Sequence, residues 1–279
     1  MNKNLNWQRA DWRGAACVLA AVLATGCHTT PPEPTEHSPT FRVLTFNIHH
    51  GEGLDGHVDL PRIAEVIQRE RADLVALQEV DKGVLRTARR DLSGELAALT
   101  GLTCVFSNNY HYQGGEYGNA VLSRFPVLNA TNSHYQMLRT NEQRGLLQLT
   151  LEVHGRQLIF MNTHLDHRQD DAERLQNVRE IQALAKQHTR TPVILCGDFN
   201  TTPGSPVHQR LKETFDDAWE MANQTPGWTY PAGNPSKRID YVWVSRTARV
   251  SPVTAHVPAS AASDHRPLVV ELHYREPHP

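Results

Sequence analysis

Short apolar runs that end on a polar residue recur along the chain. Val193 to Cys196, bounded by Pro192 and Gly197, has the length and flanks of a buried strand rather than a helix. Asp198 and Asn200 follow at once, and on an extended backbone positions i and i+2 point the same way, so an acid and an amide converge there. Phe41 to Ile48, with Asn47 near its end, and Leu74 to Leu77, running into Gln78-Glu79, repeat the pattern. Thr103 to Phe106, Gly118 to Ser123, Ile239 to Val244 and Leu268 to Leu272 predict further strands. Residues 145–163 predict an antiparallel hairpin, because Leu147, Leu149, Leu151 and Val153 alternate with polar residues, His154-Gly155 turns, and Leu158 to Met161 returns.

Three stretches switch to helical spacing. Leu60, Ile63, Ala64 and Ile67 follow a capping Asp59 with Pro61 in the first turn. Leu92, Leu96 and Leu99 precede Gly101, and Asp171 to Gln187 puts Leu175, Val178, Ile181 and Ala185 on one face. Ser205-Pro206 opens a shorter helix. Strands alternate with helices, yet an antiparallel hairpin sits in the middle, which a purely parallel sheet would not include. The expected architecture is α+β: a sandwich of two mixed or antiparallel sheets flanked by helices, one domain over residues 41–275.

Composition changes the picture mainly at the amino end. Lys3, Arg9 and Arg13 precede the apolar stretch Ala15 to Ala24, and Ala24-Thr25-Gly26-Cys27 follows. This layout resembles a bacterial lipoprotein signal over residues 1–26, with Cys27 as the lipidated residue. Residues 28–40 hold four prolines and no large apolar residue, an extended tether. The expectation is an exported protein held by its lipid at a membrane, the outer membrane by the residue after Cys27, facing the periplasm or the exterior. Ordinary secretion is the alternative. Without Lys3, Arg9, Asp11 and Arg13 the chain carries 25 basic and 29 acidic residues, net −4. That balance lacks the basic excess of proteins that live on nucleic acid. A monomer is expected. The remaining cysteines, Cys104 and Cys196, sit in apolar runs and read as buried free thiols, with pairing in an oxidising compartment as the alternative.

The polar residues at strand ends are Asn47, Glu79, Asn119, Asn162, His164, Asp198, Asn200, Asp240, Asp264 and His265. Any one of them is as well explained by a cap or turn. Together they form a set of carboxylates and amides, hard oxygen donors suited to Mg²⁺, Mn²⁺ or Ca²⁺. His164 and His167 lie three apart on an extended segment and face opposite ways, which argues against a zinc pair.

Seven segments carry a resemblance: Thr45-Phe46-Asn47-Ile48, Leu77-Gln78-Glu79-Val80, the run Gly118 to Pro126, Asn162-Thr163-His164-Leu165-Asp166, Gly197-Asp198-Phe199-Asn200, Arg238 to Val242 and Ser263-Asp264-His265-Arg266-Pro267. In this order they resemble the endonuclease/exonuclease/phosphatase superfamily. The resemblance implies a deoxyribonuclease-like four-layer sandwich with a Mg²⁺-dependent phosphoesterase site at one edge. It implies Glu79 as principal metal ligand with Asn47 and Asp264 as further ligands. Asp198 would orient or deprotonate the attacking water, Asn200 hold the phosphate, and His265, oriented by Asp240, contact the scissile phosphate. His164 would be a second phosphate-contacting histidine.

Those roles suit the chemistry. Attack on a phosphate ester brings a nucleophile toward an anion, so cationic groups must offset the growing charge while a carboxylate aligns water. The substrate is left to loops. The stretch from Ser107 to Tyr117 has three Tyr and no Lys or Arg, and Gln224 to Lys237 adds Trp228 and Tyr230. Asn119, Arg86, Arg144, Tyr117 and Trp228 are therefore candidate substrate contacts, with ordinary packing or surface salt bridges as the plain alternative. The expected partner is a phosphate-ester substrate, small or lipid-linked. A secreted nuclease and a non-catalytic surface lipoprotein on the same fold remain the alternatives.

Overall fold

The computed structural model describes residues 39–246 and 249–275. The leader, Cys27 and most of the tether lie outside the described residues. Two six-stranded sheets face each other. The first is ordered β11 (Val250–His256), β12 (Leu268–Tyr274), β1 (Thr40–Asn47), β2 (Leu74–Lys82), β4 (Gly115–Ser123) and β3 (Thr103–Tyr112). The second runs β5 (Val127–His134), β6 (Gly145–Val153), β7 (Arg156–His164), β8 (Val193–Asp198), β10 (Asp240–Ser245) and β9 (Phe215–Asp217). Each sheet has one parallel pair at its centre, β1 with β2 and β7 with β8, and is otherwise antiparallel.

Three apolar clusters define four layers. Phe41, Val43, Leu74, Leu149, Phe160 and Val242 pack between the sheets. Leu44, Phe46 and Leu77 face outward against α1 (Leu60–Arg69) and α2 (Leu92–Thr100), including Ile63, Ile67, Leu92 and Leu96. Ile159, Met161, Leu195 and Trp243 meet Val178 and Ile181 of α3 (Ala172–Ala185) and Val207 and Leu211 of α4 (Pro206–Leu211). Central strands buried on both faces must be apolar throughout, which is why they appear as continuous runs. The helices start where expected: Asp59 accepts from Arg62 N, and Ser205 accepts from His208 N. All three clusters draw on residues 41–274, within a compact unit that begins at residue 38. No helix among the described residues is long and apolar enough to cross a membrane.

Three readings change. The stretch Ser107 to Tyr117 is not a loop: β3 and β4 continue as a hairpin to a Gln113-Gly114 turn with φ of +45° and +78°, the positive-φ pair that matches strand twist. Leu99 is 41% exposed and does not join the buried stripe of α2. The strands β5, β9 and β11 and the short helix α5 (Ala218–Ala222) escaped the periodicity. β5 and β11 are edge strands, exposed along much of their length, so neither face needs an apolar run.

Candidate active site

Strand direction gathers the polar ends at one pole of the sandwich. β7 and β8 are parallel, so His164 pairs with Asp198, and β10 runs back so that its first residue, Asp240, also pairs with Asp198. Gly197 permits this approach: its φ is +149°, and a Cβ there would strike the carbonyl of Thr163. In the other sheet β1 delivers Asn47. In β2 the register with β4 breaks between Leu77 and Val80, and Glu79 adopts φ +60°. Left-handed backbone at a glutamate costs about 1–2 kcal/mol and must be imposed by its surroundings. Gln78, beside it, donates to Thr45 Oγ1 (3.2 Å) and to Asn162 Oδ1 (2.7 Å). The loop ahead of β12 is tied down by Ser263, whose Oγ donates to Asn47 O (2.8 Å) and accepts from His265 N (3.2 Å).

Asp198 is the hub. Its Oδ2 accepts from Asn47 Nδ2 (3.0 Å) and lies 3.5 Å from His164 Nε2 and 3.7 Å from His265 Nε2. Its Oδ1 accepts from Asn200 N (2.9 Å), so the Asx turn and the catalytic arrangement coexist in the same residues. Asn47 Nδ2 also donates to Glu79 Oε1 (2.9 Å), linking the two carboxylates across the sheets. Burial, then the charge of Asp240, raise Asp198 above the ordinary carboxylate range, to about 7. Burial opposes charge on His265, yet Asp240 and Asp198 outweigh it and raise that imidazole to about 10. His265 Nδ1 faces Asp240 Oδ2 at 2.9 Å, and the ring packs on Tyr230. His265 is therefore an imidazolium at neutral pH, with Nε2 3.7 Å from Asp198 Oδ2.

His164 behaves oppositely. Burial, then Arg144, depress its pKa well below the usual value, so it is neutral. Arg144 Nη1 sits 2.9 Å from His164 Nδ1, and a guanidinium only donates, so the imidazole proton resides on Nε2. Arg144 Nη2 is held by Glu142 (2.8 Å). Asn200 Nδ2 lies 3.2 Å from His164 Nε2 and donates to Leu165 O (3.1 Å).

These groups open on a cleft of about 890 Å³ whose walls include Glu79, Asp264, His164, Asp198, Asn200 and His265 together with Arg86, Arg144, Tyr117 and Tyr230. Asn47 and Asp240 sit just behind them. Arg86 is clamped bidentately on buried Asp81 (2.8 and 2.8 Å) and lies against the rings of Tyr112 and Tyr117, which hold it at the cleft wall. Two of the candidate substrate contacts also fall short of the cleft wall. Asn119 is 1% exposed and turns toward Gly145 O, because β4 is interior at that point. Trp228 is 48% exposed and is not part of the wall; Tyr230, two residues on, takes that place. Sequence reading missed His167, Lys237, Thr201 and Thr202 as site residues, all in the wall. Lys237 ends a segment singled out for its aromatics, and a cation in it was the available signal.

The donor set fits a hard divalent cation. Glu79 and Asp264 are partly exposed in the same cleft, and among the described residues no cationic side chain pairs with either. Asp198, Asp240 and His265 also offer ligand atoms within 4.8 Å of one another. Among the described residues Cys104, half-buried, and Cys196, buried, are free thiols.

A four-layer sandwich with acids, amides and histidines gathered at one pole defines the deoxyribonuclease-like phosphoesterase class. The chain belongs to the endonuclease/exonuclease/phosphatase family, whose profile matches residues 44–265. Members of that family are divalent-metal-dependent phosphoesterases. The chain is similar to the Escherichia coli K12 protein YbhP, 28% identical over 259 residues that cover 87% of this chain and 99% of YbhP. It is also similar to a family structure from Beutenbergia cavernae (TM-score 0.72, 26% identity, 85% of this chain and 72% of that one). The mannosyl-6-phosphatase of Bacteroides thetaiotaomicron shares the fold (TM-score 0.68, 19% identity, 84% of this chain and all of that one).

Proposed function

We propose that this protein hydrolyses a small phosphate ester with a divalent cation, Mg²⁺ being best suited to the oxygen donors, by in-line attack of water. The observation that carries the reading is the position of Asp198: a buried carboxylate of raised pKa between a charged imidazole, His265, and a neutral one, His164. Glu79 and Asp264 would hold the cation, which supplies positive charge beside the phosphoryl oxygens; Asn47, expected as a ligand, instead turns its oxygen to His49 N and its amide NH2 to Glu79 and Asp198, which it aligns. Asp198 orients the attacking water and takes its proton, a task suited to a carboxylate whose pKa lies near neutrality. His265 donates to a phosphoryl oxygen from Nε2, and Asp240 keeps its other nitrogen protonated. His164, fixed as the Nε2–H tautomer by Arg144, donates from the opposite side, and Asn200 holds the phosphate beside it. Arg86 and Lys237 supply positive charge toward the cleft mouth for the remainder of an anionic substrate.

A small ester is favoured over a polynucleotide because the chain is net acidic and its aromatic hairpin carries no Lys or Arg. The fold shared with a mannosyl-6-phosphatase is in keeping with a phosphomonoester. The test compares a phosphomonoester, a bis-aryl phosphodiester, plasmid DNA and sphingomyelin, with and without chelator, for wild type and Asp198→Ala. Chelator-sensitive turnover of a small ester, absent in the variant, is expected. Plasmid as the fastest substrate would install the nuclease reading instead. Chelator-resistant turnover would refute the mechanism.

A further inference from the structure

At the pole opposite the catalytic cleft lies a second cleft, of about 590 Å³, with four arginines and, among the described residues, no carboxylate in its wall. Arg156 opens β7, Arg190 precedes β8, Arg249 precedes β11 and Arg275 follows β12. All four are exposed. Among the described residues no carboxylate pairs with Arg190, Arg249 or Arg275, and Arg275 Nε donates to Ser251 Oγ. Arg156 lies 5.0 Å over the Tyr274 ring, whose hydroxyl is buried without a protein partner. The chain as a whole is net acidic, so four like charges from four distant segments do not reflect general basicity. Guanidinium groups pair with phosphate by their planar fork, and a cluster of them is drawn to an anionic bilayer.

The same pole receives the chain from its amino side. Thr40 pairs with His273, and its carbonyl lies 3.2 Å from His154 Nε2, two residues before Arg156. Thr40, near the first described residue and joined in sequence through a proline-rich stretch to Cys27, thus lies at the same pole as the arginines. We propose that this cleft seats the phosphate groups of an anionic lipid surface. The strands β7 and β8 span the distance from this pole to His164 and Asp198, roughly 20–25 Å at the usual rise per residue. A domain docked in this way turns its catalytic cleft away from the bilayer. On the reading of that cleft given above, its substrate then comes from solution rather than from the supporting membrane.

The chain beginning at Ser38 contains all three cores and lacks the leader, so its adsorption reads the arginine surface alone. It is sedimented with vesicles of phosphatidylcholine and with vesicles that also contain phosphatidylglycerol. Binding to the anionic vesicles only, weakened by salt, is expected. Each basic residue near such a surface contributes about a fivefold factor, so Arg190→Gln with Arg249→Gln is expected to weaken partition by about 25-fold. An unchanged Tm confirms that this variant is folded. Equal binding to both vesicles, or an unaffected variant, overturns the proposal. So does capture of inorganic pyrophosphate by a domain that ignores the anionic vesicles. Loss of esterase activity in the panel above would leave this binding result standing, which separates the two readings.

Discussion

Gln78 and Asn162 join the two sheets: Gln78 Nε2 donates to Asn162 Oδ1 at 2.7 Å across the interior. Asn162 Nδ2 donates to Leu77 O (2.9 Å) and Ala120 O (2.8 Å), so one amide answers the break in the β2–β4 ladder next to Glu79. Truncating it strands one amide and two carbonyls in a dry interior, where each orphan costs about 1–3 kcal/mol. Asn162→Ala is expected to lower stability by about 3 kcal/mol in urea unfolding and to weaken the affinity for divalent cation through Glu79. An unchanged urea midpoint would show that the clasp is dispensable.

The Asp240–His265 pair sets the pH window. Asp198 acts as a base above its raised pKa of about 7, and His265 remains charged up to about 10, so kcat/KM is expected to peak between them at saturating cation. Asp240→Asn removes the largest influence that raises His265 and the charge that raises Asp198. Both limbs of the profile are then expected to move toward acid, with turnover falling about 100-fold. An alkaline limb that stays in place in the variant would exclude His265 as the group responsible.

Behind the cleft, Arg238 donates to buried Asp217 (2.6 Å) and packs over Tyr241, while His208 Nε2 lies 3.2 Å from the same carboxylate. Burial opposes the charge of Asp217, but His208 and Arg238 prevail and hold its pKa below the usual carboxylate value. A depressed folded pKa means that the contribution is complete above the unfolded value and is lost as pH falls through the folded one. Asp217→Asn is expected to cost about 3 kcal/mol at neutral pH, since it leaves the buried Arg238 guanidinium only the longer contact to Glu220, 3.7 Å. The gap to wild type is expected to close as the medium becomes strongly acidic. A gap of equal size at pH 7 and pH 3 would be inconsistent with this origin.

Gly197 and Gly155 both have positive φ, +149° and +73°, but only Gly197 is crowded, against the Thr163 carbonyl. Gly155→Ala is expected to cost about 1 kcal/mol, the strain of the backbone alone. Gly197→Ala must separate β7 from β8, and is expected to lose several-fold more stability together with the alignment of His164 on Asp198. Similar Tm values for the two variants would count against this account of the strand approach.

The local pattern was sufficient for the central strands, the helix starts and the type of chemistry. Strands buried on both faces must be apolar, and their polar ends stand out against that background. The edge strands β5 and β11 were illegible because solvent replaces one partner and no apolar run is required. The hairpin tip at Gln113-Gly114 was hidden for the same reason.

The roles of individual polar residues were decided only when the sheets came together. Asn162 and Asn119 look like site residues along the chain, yet both are interior, because the inter-sheet gap passes through those strand positions. Asp81 carries no signal until the fold buries it beneath Arg86, which it clamps against two tyrosines. Sequence determined that oxygen donors would end the strands, since period-two patterning is a property of a few adjacent residues. Tertiary structure determined which of them meet at Asp198, because register and strand direction bring together positions more than a hundred residues apart.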